Sequence, residues 1–174
     1  MKYEAKPPPA ISGVAAAVNV SGKSDTMIDI HAVDHIGIRV AELDRALAFY
    51  GLFGFVAEHR AKNDAVVVIK NRHNVEINLV YNADSDNGGK NILMDVADKY
   101  PGYTHVAFRV GSIADAVAML REKKIKITQG PVSFGRGGHV SVFLRDPDRN
   151  VIELRGREED LSRLGGVEVY EPQH

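Results

Sequence analysis

The histidines His35 and His105 occur in two copies of one sequence pattern. The segment HIGIRV begins at His35 and the segment HVAFRV begins at His105, 70 residues later, so each copy reads His, apolar, small, apolar, Arg, Val. A glutamate follows each copy within an apolar run: Glu76 in VEINLV and Glu153 in VIELRG, 41 and 48 residues after the respective histidines. Imidazole and carboxylate groups together bind divalent metals, and the chain has no cysteine that could supply a thiolate. These four residues are candidate ligands of one metal ion.

Four such ligands leave an octahedral ion with free positions for water or a substrate. The ion would act as a Lewis acid that polarises a bound oxygen, and Ni, Zn, Fe, Co and Mn all accept imidazole and carboxylate ligands. A single histidine at the start of a strand is usually structural, and a single glutamate at its end is usually a solvated surface charge. The repetition of both residue types in two related segments favours one divalent metal per site.

A helical pattern follows each histidine segment. Apolar residues have the i, i+3, i+4, i+7 spacing of an amphipathic helix in both copies. They are Leu43, Ala46, Leu47 and Tyr50 in the first copy, and Ile113, Ala116, Val117 and Leu120 in the second. The second helix opens on a capping signal, Ser112 followed three residues later by Asp115. Each half of the chain is therefore a strand that leads into a helix.

Strand patterns then follow in both halves, and they predict an α+β fold built from two βαβββ modules. The first half continues through FGFVAEH, DAVVVIK and VEINLVYN, and the second through IKITQG, HVSVFLR and NVIELRG. A module with one helix cannot cover both faces of its sheet, so the modules must pack together or against a partner chain. We expect one domain over residues 31–156, with modules at 31–82 and 103–156 and a linker at 83–102.

Strand alternation predicts which side chains share a face with the histidines. Each histidine shares its face with the arginine four residues later, Arg39 or Arg109. Glu76 and Glu153 each have apolar neighbours on both sides, which predicts that both glutamates point to the same face as the histidines. His139, at the start of HVSVFLR, can reach this face as well. We expect Arg39, Arg109 and His139 to contact substrate; the alternatives are rim salt bridges for the arginines and a surface position for the histidine.

Composition excludes several classes of partner. The 22 basic and 23 acidic residues among 174 leave a net charge of −1, which gives no reason to bind nucleic acid. The apolar run at 65–69 has the length of a strand rather than of a membrane span, so we expect a cytoplasmic protein. Residues 1–30 are interpreted as a flexible tail or a dimer-clasping arm. Residues 157–174 form a C-terminal extension, in which REEDLSRLGG predicts a short exposed helix.

The segments HIGIRV, VEINLV, THVAFRV and FLRDPDRNVIELR resemble the vicinal oxygen chelate superfamily, which includes glyoxalase I, fosfomycin-resistance proteins, methylmalonyl-CoA epimerase and extradiol dioxygenases. The most specific motif is the DPD turn followed by a strand that ends in glutamate. The resemblance implies paired βαβββ modules, a half-open eight-stranded sheet around a divalent metal, and a homodimer. It leaves open whether the modules pair within one chain or between two.

The resemblance is greatest to bacterial glyoxalase I, whose ligand order is His, Glu, His, Glu. This chain can supply that set as His35, Glu76, His105 and Glu153. The resemblance then implies a metal-dependent lyase or isomerase that acts on a thiol adduct of an α-oxo-aldehyde, with glutathione as the co-substrate. Proton transfer would pass through a metal-chelated enediolate, with Glu153 or Glu76 as the base.

Two departures from glyoxalase I keep other reactions open. Val80 stands where glyoxalase I has the asparagine that holds the glutathione carboxylate, and Asn82 fits that role only if two residues bulge. A shifted alignment would put Asn78 rather than Glu76 at the metal. The long loop GPVSFGRGG is closer to fosfomycin-type members. The alternatives are an extradiol-type dioxygenase or fosfomycin-type thiol transferase with two histidines and one glutamate, and a metal-free drug-binding module.

Overall fold

The computed structural model describes residues 28–85, 88–135, 138–157 and 163–171. This part of the chain contains two helices and nine strands, and their order confirms the α+β class and the two βαβββ modules. The elements are β1 Ile36–Arg39, α1 Leu43–Gly51, β2 Val56–Arg60, β3 Val66–Lys70, β4 Glu76–Val80, β5 Val106–Arg109, α2 Ile113–Glu122, β6 Ile127–Ser133, β7 His139–Arg145, β8 Val151–Arg157 and β9 Glu168–Val169.

Both helices form where the apolar spacing predicts them, because that spacing gives each helix one side to bury. Six of the eight predicted apolar positions are buried, and the other two, Leu47 and Ala116, are half-buried. Ala114, which the spacing did not include, is also buried. The predicted cap is present: the Ser112 hydroxyl accepts a hydrogen bond from the backbone N–H of Asp115 at 3.1 Å. This bond satisfies one of the N–H groups that the first helical turn leaves without a partner.

The strands form two sheets, with the orders β1-β4-β3-β2 and β5-β8-β7-β6-β9. In each module the first strand lies parallel to the last, β1 on β4 and β5 on β8. The eight predicted strands are thus divided into two sets of four. The second set gains β9, which pairs with β6 in parallel and which no sequence pattern indicated.

One hydrophobic core joins the two modules. Buried residues of both helices and both sheets belong to a single cluster. Phe55 of the first module and Phe108 of the second meet across it, with ring centroids 6.0 Å apart. Because the apolar contacts continue from one module into the other, the modules bury their surfaces against each other within one chain.

Matching turns precede β4 and β8. Asn71 accepts hydrogen bonds from the backbone N–H groups two and four residues later, at 2.9 and 3.1 Å. Asp146, in the DPD turn, accepts the equivalent pair at 2.9 and 2.7 Å. Asn74 and Arg149 close the two turns with positive φ angles of 60° and 70°. The internal repeat therefore extends to the turns as well as to the helices and strands.

The DPD turn also connects the modules. Asp148 accepts hydrogen bonds from the backbone N–H of Ala41 at 3.1 Å and from the Arg45 guanidinium at 2.7 Å. The side-chain amide of Asn150 donates to the backbone carbonyl of Arg39 at 3.1 Å. These bonds fix the end of β1 and the start of α1 against the second module.

The ends and the linker contain little regular structure in the described residues. Residues 1–27 of the predicted tail, and most of the predicted C-terminal helix, lie outside them. The linker is held by Asp95, whose carboxylate pairs with Arg145 at 2.8 Å and with Arg149 at 3.2 Å. Neither helix of the described chain is long and apolar enough to cross a membrane.

Replacing Tyr50 by Phe should lower the free energy of unfolding by about 1–3 kcal/mol, because the Tyr50 hydroxyl donates to the buried Asp146 carboxylate at 2.9 Å. Burial raises the pKa of the Asp146 carboxyl above its ordinary value of 3.8, so the folded state binds the carboxyl proton more tightly than the unfolded state does. The contribution of Asp146 to stability therefore falls as the pH rises from 3.8 through the raised pKa of the folded state. A charged acceptor makes the stronger hydrogen bond. The loss should therefore be larger at about pH 7 than at about pH 4.

Urea unfolding of the Tyr50→Phe variant at the two pH values measures both effects. Tyr100→Phe is the control, since Tyr100 is 56% exposed. Equal losses at the two pH values would contradict this role of the hydroxyl.

Replacing Gly156 by Ala should lower the free energy of unfolding by about 1–3 kcal/mol. A Cβ atom at Gly156 would lie 2.6 Å from the Cβ of Ile113 and 3.0 Å from its backbone nitrogen, so β8 and α2 would have to separate. The control is Gly51→Ala at the end of α1, where a Cβ meets nothing within 4 Å and the change should be neutral or slightly stabilising. Thermal unfolding compares the two variants, and equal stabilities would refute the close contact.

Candidate functional site

The two repeat histidines line one cavity of about 1450 Å³. Each lies directly before the first strand of its module, and β1 and β5 are both edge strands of their sheets. Glu76, Arg39 and Arg109 line the same cavity. The fold thus brings five of the seven predicted site residues around one space.

The residue before each histidine orients its ring. The Asp34 carboxylate lies 2.8 Å from Nδ1 of His35, and the Thr104 hydroxyl lies 3.0 Å from Nδ1 of His105. A hydrogen bond at Nδ1 fixes the ring and selects Nε2 as the atom for a metal or a substrate. Both histidines therefore have Nδ1 beside a side-chain oxygen of the preceding residue, although that residue is charged in one module and neutral in the other.

Glu153 is buried beside His105. Its side chain is 6% exposed, and one carboxylate oxygen lies 3.1 Å from Nε2 of His105. The other oxygen accepts a hydrogen bond from the Ser141 hydroxyl at 2.5 Å. A buried carboxylate needs such partners, because the loss of hydration disfavours its charge. Two fixed ligand atoms thus lie side by side in the second module.

Glu76 is tied to a lysine in the first module. Its carboxylate lies 2.9 Å from Nζ of Lys70, which also faces Glu58 at 3.7 Å. The hydrogen bond to Glu76 raises the pKa of Lys70. Ligand atoms of Asp34, His35 and Glu76 nevertheless lie within 4.8 Å of one another. Glu76 is near His35, but its charge is balanced by Lys70.

The strand register distinguishes Glu76 from Asn78. Gly37 pairs with Asn78 between β1 and β4, whereas Ala107 pairs with Glu153 between β5 and β8. Gly37 and Ala107 are equivalent residues of the repeat, so Asn78 occupies the position in the first module that Glu153 occupies in the second. The Oδ1 atom of Asn78 is buried and has no hydrogen-bond partner in the described part of the chain.

Among the described residues, one group of three His or carboxylate side chains has its ligand atoms within 4.8 Å of one another: Asp34, His35 and Glu76. His105 and Glu153 lie outside that group, and Glu153 and Asn78 do not line the cavity. The 3.1 Å between His105 and Glu153 is the length of a direct hydrogen bond, and two ligands about 2.1 Å from one ion at right angles have about the same separation. Asn78 offers an amide oxygen that has no other partner among residues with described positions. Two imidazoles, one carboxylate and one amide oxygen suit Zn, Ni, Co, Fe or Mn.

The remaining predicted residues have different surroundings. His139 does not line the cavity, and its Nδ1 is buried without a partner among the described residues. Within the same residues, neither Arg39 nor Arg109 forms an ion pair, so both guanidinium groups are free to bind an anion. The rim salt bridges that sequence reasoning kept as an alternative are absent from this part of the chain.

Sequence reasoning missed Asp34, Thr104 and Lys70. A signal existed for Asp34 and Thr104, because both are hydrogen-bonding residues at the same position of the repeat, directly before each histidine. No comparable signal marks Lys70, whose contact with Glu76 depends on the pairing of β3 with β4.

Comparison with known proteins identifies the family. The chain is 27% identical over 135 residues to the glyoxalase domain-containing protein RDO1 of Mycosarcoma maydis, covering 76% of this chain and 72% of the relative. It is 31% identical over 120 residues to the mitochondrial methylmalonyl-CoA epimerase of Bos taurus, covering 67% of each. The fold is similar to lactoylglutathione lyase from Agrobacterium tumefaciens, with a TM-score of 0.51 and 21% identity over 78% of this chain and 96% of that one.

The family model of the Glyoxalase/Bleomycin resistance protein/Dioxygenase superfamily matches residues 32–154. This range includes both histidines, both glutamates and all eight strands of the two modules except the last three residues of β8. The chain belongs to this superfamily.

Proposed function

We propose that this protein is a metal-dependent lyase or isomerase of the glyoxalase I type, which moves a proton between adjacent carbons of a thiol adduct of an α-oxo-aldehyde. The observation that supports this most is the 3.1 Å contact between the buried carboxylate of Glu153 and His105, which lines the cavity together with His35. The relatives named as an epimerase and a lyase agree with proton transfer, since both names describe reactions at carbon rather than oxygen insertion.

His35, His105 and Glu153 hold the metal in this proposal, and Asn78 supplies its amide oxygen. A bound divalent metal supplies Lewis-acid polarisation of two neighbouring substrate oxygens. Asp34 and Thr104 keep both imidazole rings oriented through Nδ1. Ser141 positions the Glu153 carboxylate, which takes the proton from one carbon and returns it to the next.

The free arginines bind the distant end of the substrate in this proposal. Arg39 lies four residues beyond His35, which on an extended strand is about 13 Å between Cα atoms. A guanidinium group at that distance can bind a carboxylate of the thiol while the reacting oxygens lie near the histidines. Glutathione carries two carboxylates remote from its sulfur, so it is the thiol we propose.

A second candidate function rests on the pairing of Glu76 with Lys70 at 2.9 Å. With Glu76 engaged by Lys70, the charged ligands are two histidines and one glutamate, the same set as in the first proposal. That set is typical of non-haem Fe(II) oxygenases. An extradiol-type dioxygenase acting on a catechol is therefore the alternative, and a fosfomycin-type thiol transferase would use the same three ligands.

Replacing Glu153 by Gln should reduce turnover of the methylglyoxal–glutathione hemithioacetal by about 100-fold or more, because the amide cannot accept the proton. Glu76→Gln should retain most of the activity, since Glu76 is engaged by Lys70. Both variants are assayed at saturating Ni or Zn, with bound metal measured in the same samples, so that loss of metal is not confused with loss of the base.

Three results would change this assignment. Full activity of the Glu153→Gln variant would refute the proposed base. A larger loss in Glu76→Gln than in Glu153→Gln would transfer the role to Glu76. Oxygen uptake with catechols by the Fe-loaded protein, without hemithioacetal turnover by the Ni- or Zn-loaded protein, would favour the dioxygenase.

Replacing Asp34 by Ala, or Thr104 by Val, should weaken metal binding by about 10- to 100-fold, because each removes the bond that orients a histidine ring. Competition with a chromogenic chelator measures the affinity. Asp98→Asn, an exposed change in the linker, is the control. Unchanged affinity in both site variants would contradict the proposed roles of Asp34 and Thr104 in orienting the two histidine rings.

A further inference from the structure

A row of aromatic rings extends from His105 along the second sheet. The His105 and Phe143 rings meet edge to face, with centroids 5.6 Å apart and planes at 82°. Phe143 and Phe134 follow at 6.3 Å and 86°, and Phe134 and Tyr170 at 5.1 Å and 47°. We call Phe134, Phe143 and Tyr170 the aromatic row.

The aromatic row begins at the proposed metal ligands. Phe143 pairs with Glu153 between β7 and β8, and its ring contacts His105. Ser141, two residues earlier on the same face of β7, donates to Glu153. The row is therefore continuous with the group of side chains that holds the Glu153 carboxylate.

The outer end of the row is held in place while it remains exposed. The backbone N–H of Tyr170 donates to the carbonyl of Ser133 at 2.8 Å, next to the pairing of β9 with β6. Phe134 is 41% exposed and Tyr170 is 46% exposed. None of the three rings lines the cavity of His35 and His105, so the row meets the site through the contact of Phe143 with His105. Exposed apolar rings next to a few placed polar groups are a feature of ligand surfaces.

We propose that the aromatic row binds an aromatic group of the substrate, so that the preferred substrates are aryl rather than small alkyl compounds with two neighbouring oxygens. This inference rests on the proposed function, because it places those oxygens at the metal. A substrate ring can take an edge-to-face position against Phe134 or Tyr170, the arrangement that Phe143 has with His105 and with Phe134. An aliphatic group of the same size lacks that edge-to-face preference.

Hydroxamates test the inference without turnover, because they chelate a metal through two neighbouring oxygens. Binding of benzohydroxamate, cyclohexanecarbohydroxamate and acetohydroxamate to the full-length Zn-loaded chain is measured by calorimetry. We expect benzohydroxamate to bind about tenfold more tightly than acetohydroxamate, with the cyclohexane compound between them.

Variants identify the residues responsible. Tyr170→Ala should weaken benzohydroxamate binding several-fold and leave acetohydroxamate binding unchanged, and Phe134→Ala should do the same. Tyr100→Ala is the matched control, since Tyr100 is exposed to a similar extent but lies in the linker. Circular dichroism shows whether each variant is folded.

The outcomes separate this inference from the proposed function. Equal affinity for all three hydroxamates, or unchanged selectivity in both the Tyr170→Ala and Phe134→Ala variants, overturns the aromatic row and leaves the metal site intact. Equal binding of the cyclohexane and benzene compounds overturns the preference for aryl groups. Absence of binding by any hydroxamate overturns the metal site and the aromatic row together.

Discussion

The buried carboxylate of Asp146 is the constraint on which the position of the site depends. It accepts hydrogen bonds from two backbone N–H groups of its own turn, from the Asn150 amide and from the Tyr50 hydroxyl in the other module. Burial of an ionised group is unfavourable unless its hydrogen bonds are replaced, and four donors replace them here. The same turn presents Asp148 to α1 and Asn150 to the end of β1. The turn thereby sets β1, which follows His35, relative to β8, which carries Glu153.

The sequence predicts the elements well because their signals are local. Helix spacing, the Ser112 cap and strand alternation all lie within about 15 residues, and the internal repeat supports each of them twice. The division into two sheets and the strand β9 could not be predicted in this way. How sheet edges meet depends on tertiary packing, and a strand of two residues has no periodicity to detect.

The choice between Glu76 and Asn78 shows where sequence reasoning ends at the site. Both residues lie on the same face of β4, so alternation cannot separate them. Their difference lies in the register of β1 on β4, which joins residues about 40 positions apart. The contact of Glu76 with Lys70 depends likewise on the pairing of β3 with β4. Local patterns predict which face a side chain occupies, whereas long-range pairing decides which partner it meets.

Buried polar atoms without a hydrogen-bond partner occur in the described residues both at the candidate site and in the structural ion pairs. Asp95 pairs with both Arg145 and Arg149 and holds the linker, while Nε of Arg145 is buried without a partner in the described residues. At the candidate site, Oδ1 of Asn78 is buried without a partner in the described residues. The two carboxylate oxygens of Glu153 do have partners: one lies near His105 and the other accepts a hydrogen bond from Ser141. Unsatisfied buried polar atoms cost stability, and native proteins retain few of them. Of these atoms, the Asn78 oxygen is the one that lies at the repeat position of Glu153, because Asn78 pairs with Gly37 as Glu153 pairs with Ala107.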